Sequence, residues 1–387
     1  MLWAMKVVLA FDSWKGSLTA VEACEAAAEG LARLHPAPEL IHCPLSDGGE
    51  GFADTVARAA GGVVRGHRVT GPLGETVDAE VVFLDDGQRA VIEAAQACGL
   101  HLVPEHQRNP GRALTVGIGE LIRHAVDAGA REIVIGLGGS ATNDAGIGLL
   151  SALGWQFIDE AGKPVEPCGD ALERVARVIP PVVPLRVAIT AACDVANPLY
   201  GPTGAAVVYA PQKGATPADV QRLDAGLRHF AGVCAGALGR DFAALPGSGA
   251  AGGLGFALQA FLGAQFRSGA ELAIELAGLR QHLRGAALCL TGEGRTDAQT
   301  AAGKLPSAVA RCCREQAVPC VCLSGSIGTG IAALYDAGLT AALSVLQRPA
   351  TLDEAIASGR PALADTAEAI GRLVQACGRV CRSVGRP

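Results

Sequence analysis

KVVLAFDSWKGSLTAVEACEAAAEGLARL, residues 6–34, sets the fold class. Lys6–Phe11 is an almost unbroken apolar run of strand length. A run without alternation reads as a strand buried on both faces, as in a parallel sheet. A polar turn, Asp12–Ser17, follows. From Thr19 to Leu34 the apolar residues recur at helical spacing, with Thr19 as N-cap and Glu22 at the capping-box position. Strand, turn and helix in this order form the first half of a βαβ unit.

Outward from this stretch the texture repeats. Leu40–Pro44 reads as a second strand, Thr115–Ala128 as a helix stopped by Gly129, and Glu132–Leu137 as a strand. A helix is expected from about Asn143 to Leu153, a strand at Arg186–Thr190, and helices at Pro217–Leu238 and Gly253–Leu262. Ala287–Thr291, Cys320–Ser324 and Ala341–Val345 are short buried-type strands. Between Val63 and Glu93 the pattern changes to hairpins around Gly71-Pro72 and Asp85-Asp86-Gly87. The two chain ends therefore resemble each other and the middle differs. The expected fold is α/β, with one discontinuous domain from residues 1–65 and 285–387 and an inserted α/β domain with a mixed sheet at 66–284. A single wide doubly wound sheet is the alternative. Residues 1–4 read as an extension ahead of Met5.

The chain has 387 residues, half of them hydrophobic and 18% charged, which supports a large core and excludes disorder. A net charge of −6 argues against nucleic-acid binding driven by phosphate neutralisation. The N-terminus lacks a basic region and a cleavage pattern, and no run of about 18 uncharged apolar residues exists. A cytoplasmic protein with no membrane or nucleic-acid partner is expected. Thirteen cysteines occur with no C-x-x-C pair and no histidine near the closest group, Cys312, Cys313, Cys320 and Cys322. They read as reduced thiols, mostly small core residues, rather than a zinc site.

Five clusters lie where strands give way to turns, the usual ligand position in α/β sheets. They are Asp12–Ser17 (DSWKGS), Asp47–Gly51 (DGGEG), Gly136–Gly146 (GLGGSATNDAG), Cys193–Ala206 with Ala210–Thr216, and Thr291–Lys304 (TGEGRTDAQTAAGK). The third can form an anion nest. Asp12, Asp47 and Asp194 are also ordinary turn or N-cap residues by type. Lysine usage separates the two readings. Only Lys6, Lys15, Lys163, Lys213 and Lys304 are lysines among 32 basic residues. Three of the five lie in the clusters beside glycine, where a compact ammonium suits phosphate oxygens. The Walker A loop, a complete G-x-G-x-x-G, the protein-kinase motifs and G-x-S-x-G are all absent. Binding of anionic small molecules in a cleft, with phosphoryl transfer, fits these residues best. An NAD(P)-dependent oxidoreductase and a non-catalytic small-anion-binding protein are the alternatives. The first would need a dinucleotide fingerprint and the second a signal peptide.

DSWKGSLTA, PLSDGGEG, IEAAQACGL, RNPGRALTVGIGEL, IGLGGSATNDAGIG, ACDVANPLYGPTGAA, APQKGAT, PGSGAAGGLG and TGEGRTDAQTAAGK, in that order, resemble the signature segments of the class I glycerate kinases. The resemblance runs from residue 5 to about 375. It implies a Rossmann- or flavodoxin-like domain beside a second α/β domain, with the active site in the cleft between them. It implies phosphorylation of D-glycerate by ATP with Mg²⁺, most often to 2-phosphoglycerate in bacterial members. Matched by motif, Asp194 would take the glycerate hydroxyl proton, and Lys15 and Lys304 would neutralise the transferring phosphate. Ser17, Arg295 and Asn197 would bind glycerate, with Gly139, Ser140 and Asn143 cradling ATP phosphates. Asp47, Glu293 and Asp297 would hold or orient the metal with its water. Phe11, Trp14, Ser46 and Phe52 depart from the residues common in the family, beside the charged positions rather than at them. The regiochemistry and the choice between monomer and homodimer are left open at this stage.

Overall fold

The computed structural model describes residues 5–384, apart from residues 50 and 302. The expected extension at residues 1–4 lies outside them. The chain divides into two compact units. One comprises Met1–Asp47, Arg58–Ala60 and Ala270–Pro387, and the other Gly48–Ala57 and Gly61–Gly269.

The first unit is built on five parallel strands in the order Ala341–Ser344, Cys320–Ser324, Leu288–Gly292, Lys6–Phe11, Glu39–His42. Read from the other edge and numbered along the chain within this unit, the order is the flavodoxin-like 2-1-3-4-5. Its direction reverses between Lys6–Phe11 and Leu288–Gly292. The central strands are uninterrupted apolar runs because both faces are covered. On one face Leu9, Phe11, Leu290 and Leu323 pack against Ala23, Ala27 and Leu31 of the helix Ala20–Leu31, and against Leu363 and Ala367 of the helix Gly359–Val384. These two helices touch at Gly30, where a Cβ would stand 1.9 Å from the Ala364 carbonyl oxygen. The other face carries Cys289 and Cys320 toward Cys313 of the helix Leu305–Glu315. The Thr19–Glu22 capping box forms in both directions and starts the first helix where the sequence predicts.

The second unit holds a six-stranded mixed sheet. Val63–Thr70, Thr76–Leu84 and Arg89–Glu93 form the antiparallel meander, and Glu132–Gly136, Ala188–Ala192 and Gln265–Arg267 add in parallel, in chain order. Ile118, Leu121 and Ile122 of the helix Val116–Asp127 and Leu149 and Leu150 of Ile147–Ala152 fill one core with Ile92, Ile133 and Ile135. Phe157, Phe230, Phe256 and Phe261 cluster edge to face beside the helices Pro217–Leu238 and Ala250–Leu262. Two expectations shift. The strand expected at Arg186–Thr190 lies two residues later. The helix expected from Asn143 begins only at Ile147, because Ala145 and Gly146 both adopt positive φ and Asp144 accepts from the Gly146 N–H at 2.9 Å. Residues 138–146 are a loop instead. Among the described residues no helix is long and apolar enough to cross a membrane.

Candidate active site

Every strand of the first sheet runs in the same direction, so all their C-terminal ends emerge on one edge. Open α/β sheets bind ligands on that edge, at the point where strand order reverses. Here that point is occupied by Asp12 and Glu293. Phe11 and Gly292 are register partners, each the last residue of its strand, and the Asp12 N–H donates to the Gly292 carbonyl at 3.0 Å. The close approach needs glycine: a Cβ on Gly292 would meet the Leu323 carbonyl oxygen at 1.7 Å. On the other side Leu45 donates to the Phe11 carbonyl at 3.0 Å, leading the chain to Asp47.

Three carboxylates and one ammonium are thereby gathered. Burial and the neighbouring Asp47 push the Asp12 carboxyl up to about 8, and Glu293 adds to this. The Ser13 N–H, 2.7 Å from Oδ1, and the Lys304 ammonium act in the opposite sense. Glu293 is buried, and burial raises its pKa as well. Its Oε1 accepts from the Thr296 hydroxyl at 3.2 Å and from the Thr300 hydroxyl. Thr296 also meets the Ser324 hydroxyl at 2.7 Å, which anchors the turn to the next strand. Lys304 is exposed and is the N-cap of the helix Leu305–Glu315, with no side-chain cap of its own. The helix N–H groups and the ammonium therefore favour an anion at the same place.

The remaining expected residues of this unit behave differently from one another. Lys15 is exposed in the turn after Phe11. Arg295 is 70% exposed and pairs with Asp297 at 3.2 Å, while Asp297 also accepts from the Gln299 N–H at 2.9 Å. Asp297 thus orients Arg295 and caps its own turn. The Ser17 hydroxyl donates to the Ile356 carbonyl at 3.0 Å.

The second unit carries its own polar group at the ends of its parallel strands. Lys213 is buried and donates to Ser140 Oγ at 2.8 Å and to the Thr142 carbonyl at 2.7 Å. Burial lowers its pKa to about 8, with the Cys98 thiol and Asp144 opposing. Asp144 is also buried and accepts from the Thr115 hydroxyl at 2.6 Å. Asn143 is 1% exposed, and neither end of its amide has a partner, unlike Ser140 beside it. Gly139 adopts φ +74, the left-handed turn that this loop requires. Asp194 is exposed, and its Oδ1 accepts from the Gly269 N–H at 3.1 Å, where the helix Gly269–Leu276 starts. Asn197 spends both ends of its amide on its own loop, donating to the Thr203 carbonyl at 2.8 Å and accepting from the Tyr209 hydroxyl at 2.6 Å.

Three residues carry no assigned role in the sequence reading, although two of them lie in its clusters. Asp12 was visible as an acid after a strand, but its centrality depends on strand order, which spacing does not reveal. Lys213 was marked by the scarcity of lysine. Glu93, whose carboxylate caps the helix Phe52–Ala60 through the Gly51 and Ala53 N–H groups at 3.0 and 3.3 Å, lies in the segment IEAAQACGL, whose residues do not reveal that long-range cap.

The arrangement can be compared with known proteins. Residues 7–375 match the model of the Glycerate kinase family. A glycerate kinase of Halalkalibacterium halodurans is 43% identical over 94% of this chain and 97% of that protein. The glycerate 2-kinase of Escherichia coli K12 is 41% identical over 91% of this chain and 93% of its own length. A crystal structure from Salmonella typhimurium LT2, assigned as glycerate kinase 2, superimposes with a TM-score of 0.85 at 40% identity, covering 97% of this chain and all of that one. With matches that run nearly end to end in sequence and in structure, the chain belongs to the glycerate kinase family.

Proposed function

We propose that this chain transfers the γ-phosphoryl group of ATP to D-glycerate, giving 2-phosphoglycerate and ADP, with Mg²⁺ as the accompanying cation. The observation that carries the reading is the convergence of Asp12, Asp47, Glu293 and Lys304 at the strand-order reversal of the first sheet. Phosphoryl transfer needs positioned cations and donors more than a special nucleophile. The 2-position is favoured by the name of the Escherichia coli relative.

The donor set suits a hard divalent cation, which takes oxygen ligands. Burial, with Asp47 and Glu293 alongside, pushes Asp12 up to about 8, and such a cation would relieve both the burial of the charge and the repulsion. Asp12, Asp47 and Glu293 would hold Mg²⁺, which neutralises charge on the phosphate oxygens when bound. Lys15 and Lys304 bring ammonium groups to the transferring phosphate as fixed positive charge. Arg295, held by Asp297, offers a planar fork to the glycerate carboxylate. Asn143, with its buried amide unpartnered, is the group of the Gly139–Asn143 turn best suited to meet an ATP phosphate. Ser140 serves that turn through Lys213, and Ser17 and Asn197 shape the loops that contact substrate. Asp194 takes the proton of the attacking hydroxyl. The twelve free cysteines among the described residues support a reducing compartment such as the cytoplasm.

The ³¹P NMR spectrum of the product from D-glycerate and MgATP tests the reading. A phosphomonoester coupled to the single proton at carbon 2 is expected. Coupling to the two protons of carbon 3 would overturn the position. Turnover with other hydroxy acids and none with D-glycerate would overturn the substrate.

A further inference from the structure

On the face of the first sheet covered by the helix Leu305–Glu315, three thiols converge. Cys289 and Cys320 are register partners on neighbouring parallel strands, and Cys313 comes from the helix. All three are buried, and their sulfur atoms lie within 4.8 Å of one another. Among the described residues they are the one group of three ligand side chains brought this close. Cys289 also reaches the Leu290 carbonyl at 4.0 Å, longer than the 3.3 Å bond of the core thiol Cys24 to the Leu9 carbonyl.

We propose that Cys289, Cys313 and Cys320 form a three-thiol binding site for a trivalent thiophile of the arsenite class.

Geometry and charge select this ligand. Trivalent arsenic keeps a lone pair and binds as a pyramid, so three bonds of about 2.3 Å place the sulfurs roughly 3.5 Å apart. The cluster, whose sulfurs lie within 4.8 Å of one another, closes onto such a centre by contracting. Zinc would want a fourth ligand. Two further thiols lie close in sequence: Cys312, beside Cys313, has Arg280, Glu271 and Glu315 as its charged neighbours, and Cys322 is engaged with the Ser324 and Thr296 hydroxyls at 3.4 and 3.5 Å. The groups that perturb the three thiols are burial and other cysteines, with no charged side chain among them. A divalent cation bound by three thiolates would leave a net negative charge in this apolar space, which is costly. A trivalent centre leaves none.

The exchange balances without a redox step. Arsenious acid, As(OH)₃, is uncharged and enters without desolvating an ion. Three As–O bonds break and three As–S bonds form. Each thiol proton leaves with a hydroxide, so three waters are released and arsenic stays trivalent. The neighbouring Cys289 and Cys320 thiols hold the Cys313 pKa below the usual thiol range, so Cys313 gives up its proton most readily. The bound centre would tie the strand that ends before Glu293 to the helix that Lys304 caps. Binding the folded state alone should then raise thermal stability.

The test uses reduced full-length protein, sodium arsenite, and desalting before native mass spectrometry. One arsenic per chain with loss of three waters is expected, together with a raised Tm. Cys289→Ala, Cys313→Ala and Cys320→Ala should each abolish it, whereas Cys377→Ala at an exposed position should not. X-ray absorption on the wild-type complex should show three sulfur neighbours and no oxygen, a readout that stands even if the variants fail to fold. Retained As–O bonds, fewer than three sulfurs, or arsenic that survives any of the three substitutions would overturn the site. Loading of one zinc per chain from zinc sulfate, with no arsenic taken up, would overturn the ligand class.

Discussion

Asp12 and Glu293 each stand one residue beyond a register pair, Phe11 and Gly292, and the Asp12 N–H closes that pair on the Gly292 carbonyl at 3.0 Å. Neighbouring strands lie about 4.8 Å apart, so the sheet itself forces these two acids side by side. Repulsion of this kind is tolerated where a ligand uses it, and costs stability otherwise.

Asp12→Asn keeps the shape and removes the ability of this side chain to ionise against a bound cation. kcat should fall by about 10²-fold or more, the scale for one electrostatic contact to a transferring group. Stability should hold or rise, because burial first, and the neighbouring Asp47 and Glu293 next, push Asp12 up to about 8, and a neutral amide avoids both costs. Steady-state kinetics and thermal unfolding, with and without MgCl₂, measure both. An enzyme with normal kcat and a lowered Tm would make Asp12 a turn residue.

Lys15→Met and Lys304→Met should each lower kcat by about 10²-fold while leaving Tm nearly unchanged, since both ammonium groups are exposed. The two variants should also weaken stabilisation by ATP more than stabilisation by D-glycerate. A lysine whose loss leaves kcat intact belongs to the surface.

The strand ends and turns that carry the candidate residues can be read in the sequence because they are local features. Lys6–Phe11, Cys320–Ser324 and Pro217–Leu238 lie where their patterns predict. The Gly136–Gly146 stretch reads as entering a helix at Asn143, whereas the helix begins at Ile147. Nothing in its composition announces that Ala145 takes φ 54, a strained conformation held by the packed Asp144 turn. Strand order was equally hidden. Leu288–Gly292 pairs with Lys6–Phe11 although more than two hundred residues separate them, and periodicity carries no information about that pairing. Ser17 and Asn197 match by motif, but Ser17 already serves the Ile356 carbonyl and Asn197 the Thr203 carbonyl and the Tyr209 hydroxyl, a fact visible only in three dimensions.

Lys213 supplies a pH signature. Its pKa in the fold is about 8, against 10.5 for an ordinary lysine, so the folded chain releases this proton first. Between those values the unfolded chain binds more protons, and stability therefore rises with pH through that window. Below about pH 8 both states are protonated and the burial cost is present in full. Lys213→Met removes this titration and leaves Ser140 Oγ and the Thr142 carbonyl without their donor. Urea unfolding near pH 7 and near pH 10 should show the wild type gaining on the variant by an amount of order 3 kcal/mol. A constant difference between the two proteins across that range would mean that Lys213 titrates normally.

Asp194 offers the sharpest division between a catalytic and a structural residue. Its Oδ1 accepts from the Gly269 N–H at 3.1 Å, so a role in starting the helix Gly269–Leu276 is already visible. Asn retains a carbonyl oxygen that can accept the same bond, and capping preferences for Asn and Asp are alike. If capping is the whole role, Asp194→Asn should keep both Tm and kcat near wild type. If Asp194 also removes the hydroxyl proton, the variant loses basicity while its fold is preserved. kcat should then fall by roughly 10²–10⁴, the range for a general acid–base group, with Tm unchanged. Stabilisation by MgATP should survive, because proton removal does not contribute to nucleotide binding. Loss of that stabilisation would instead assign the carboxylate to the metal or the nucleotide. Asp194→Ala separates the functions further, since it removes the cap as well and should lower Tm by the equivalent of about 1 kcal/mol. An Asp194→Asn enzyme that keeps more than about a tenth of wild-type kcat, below the smallest loss a general base produces, would end the catalytic reading and leave the helix cap.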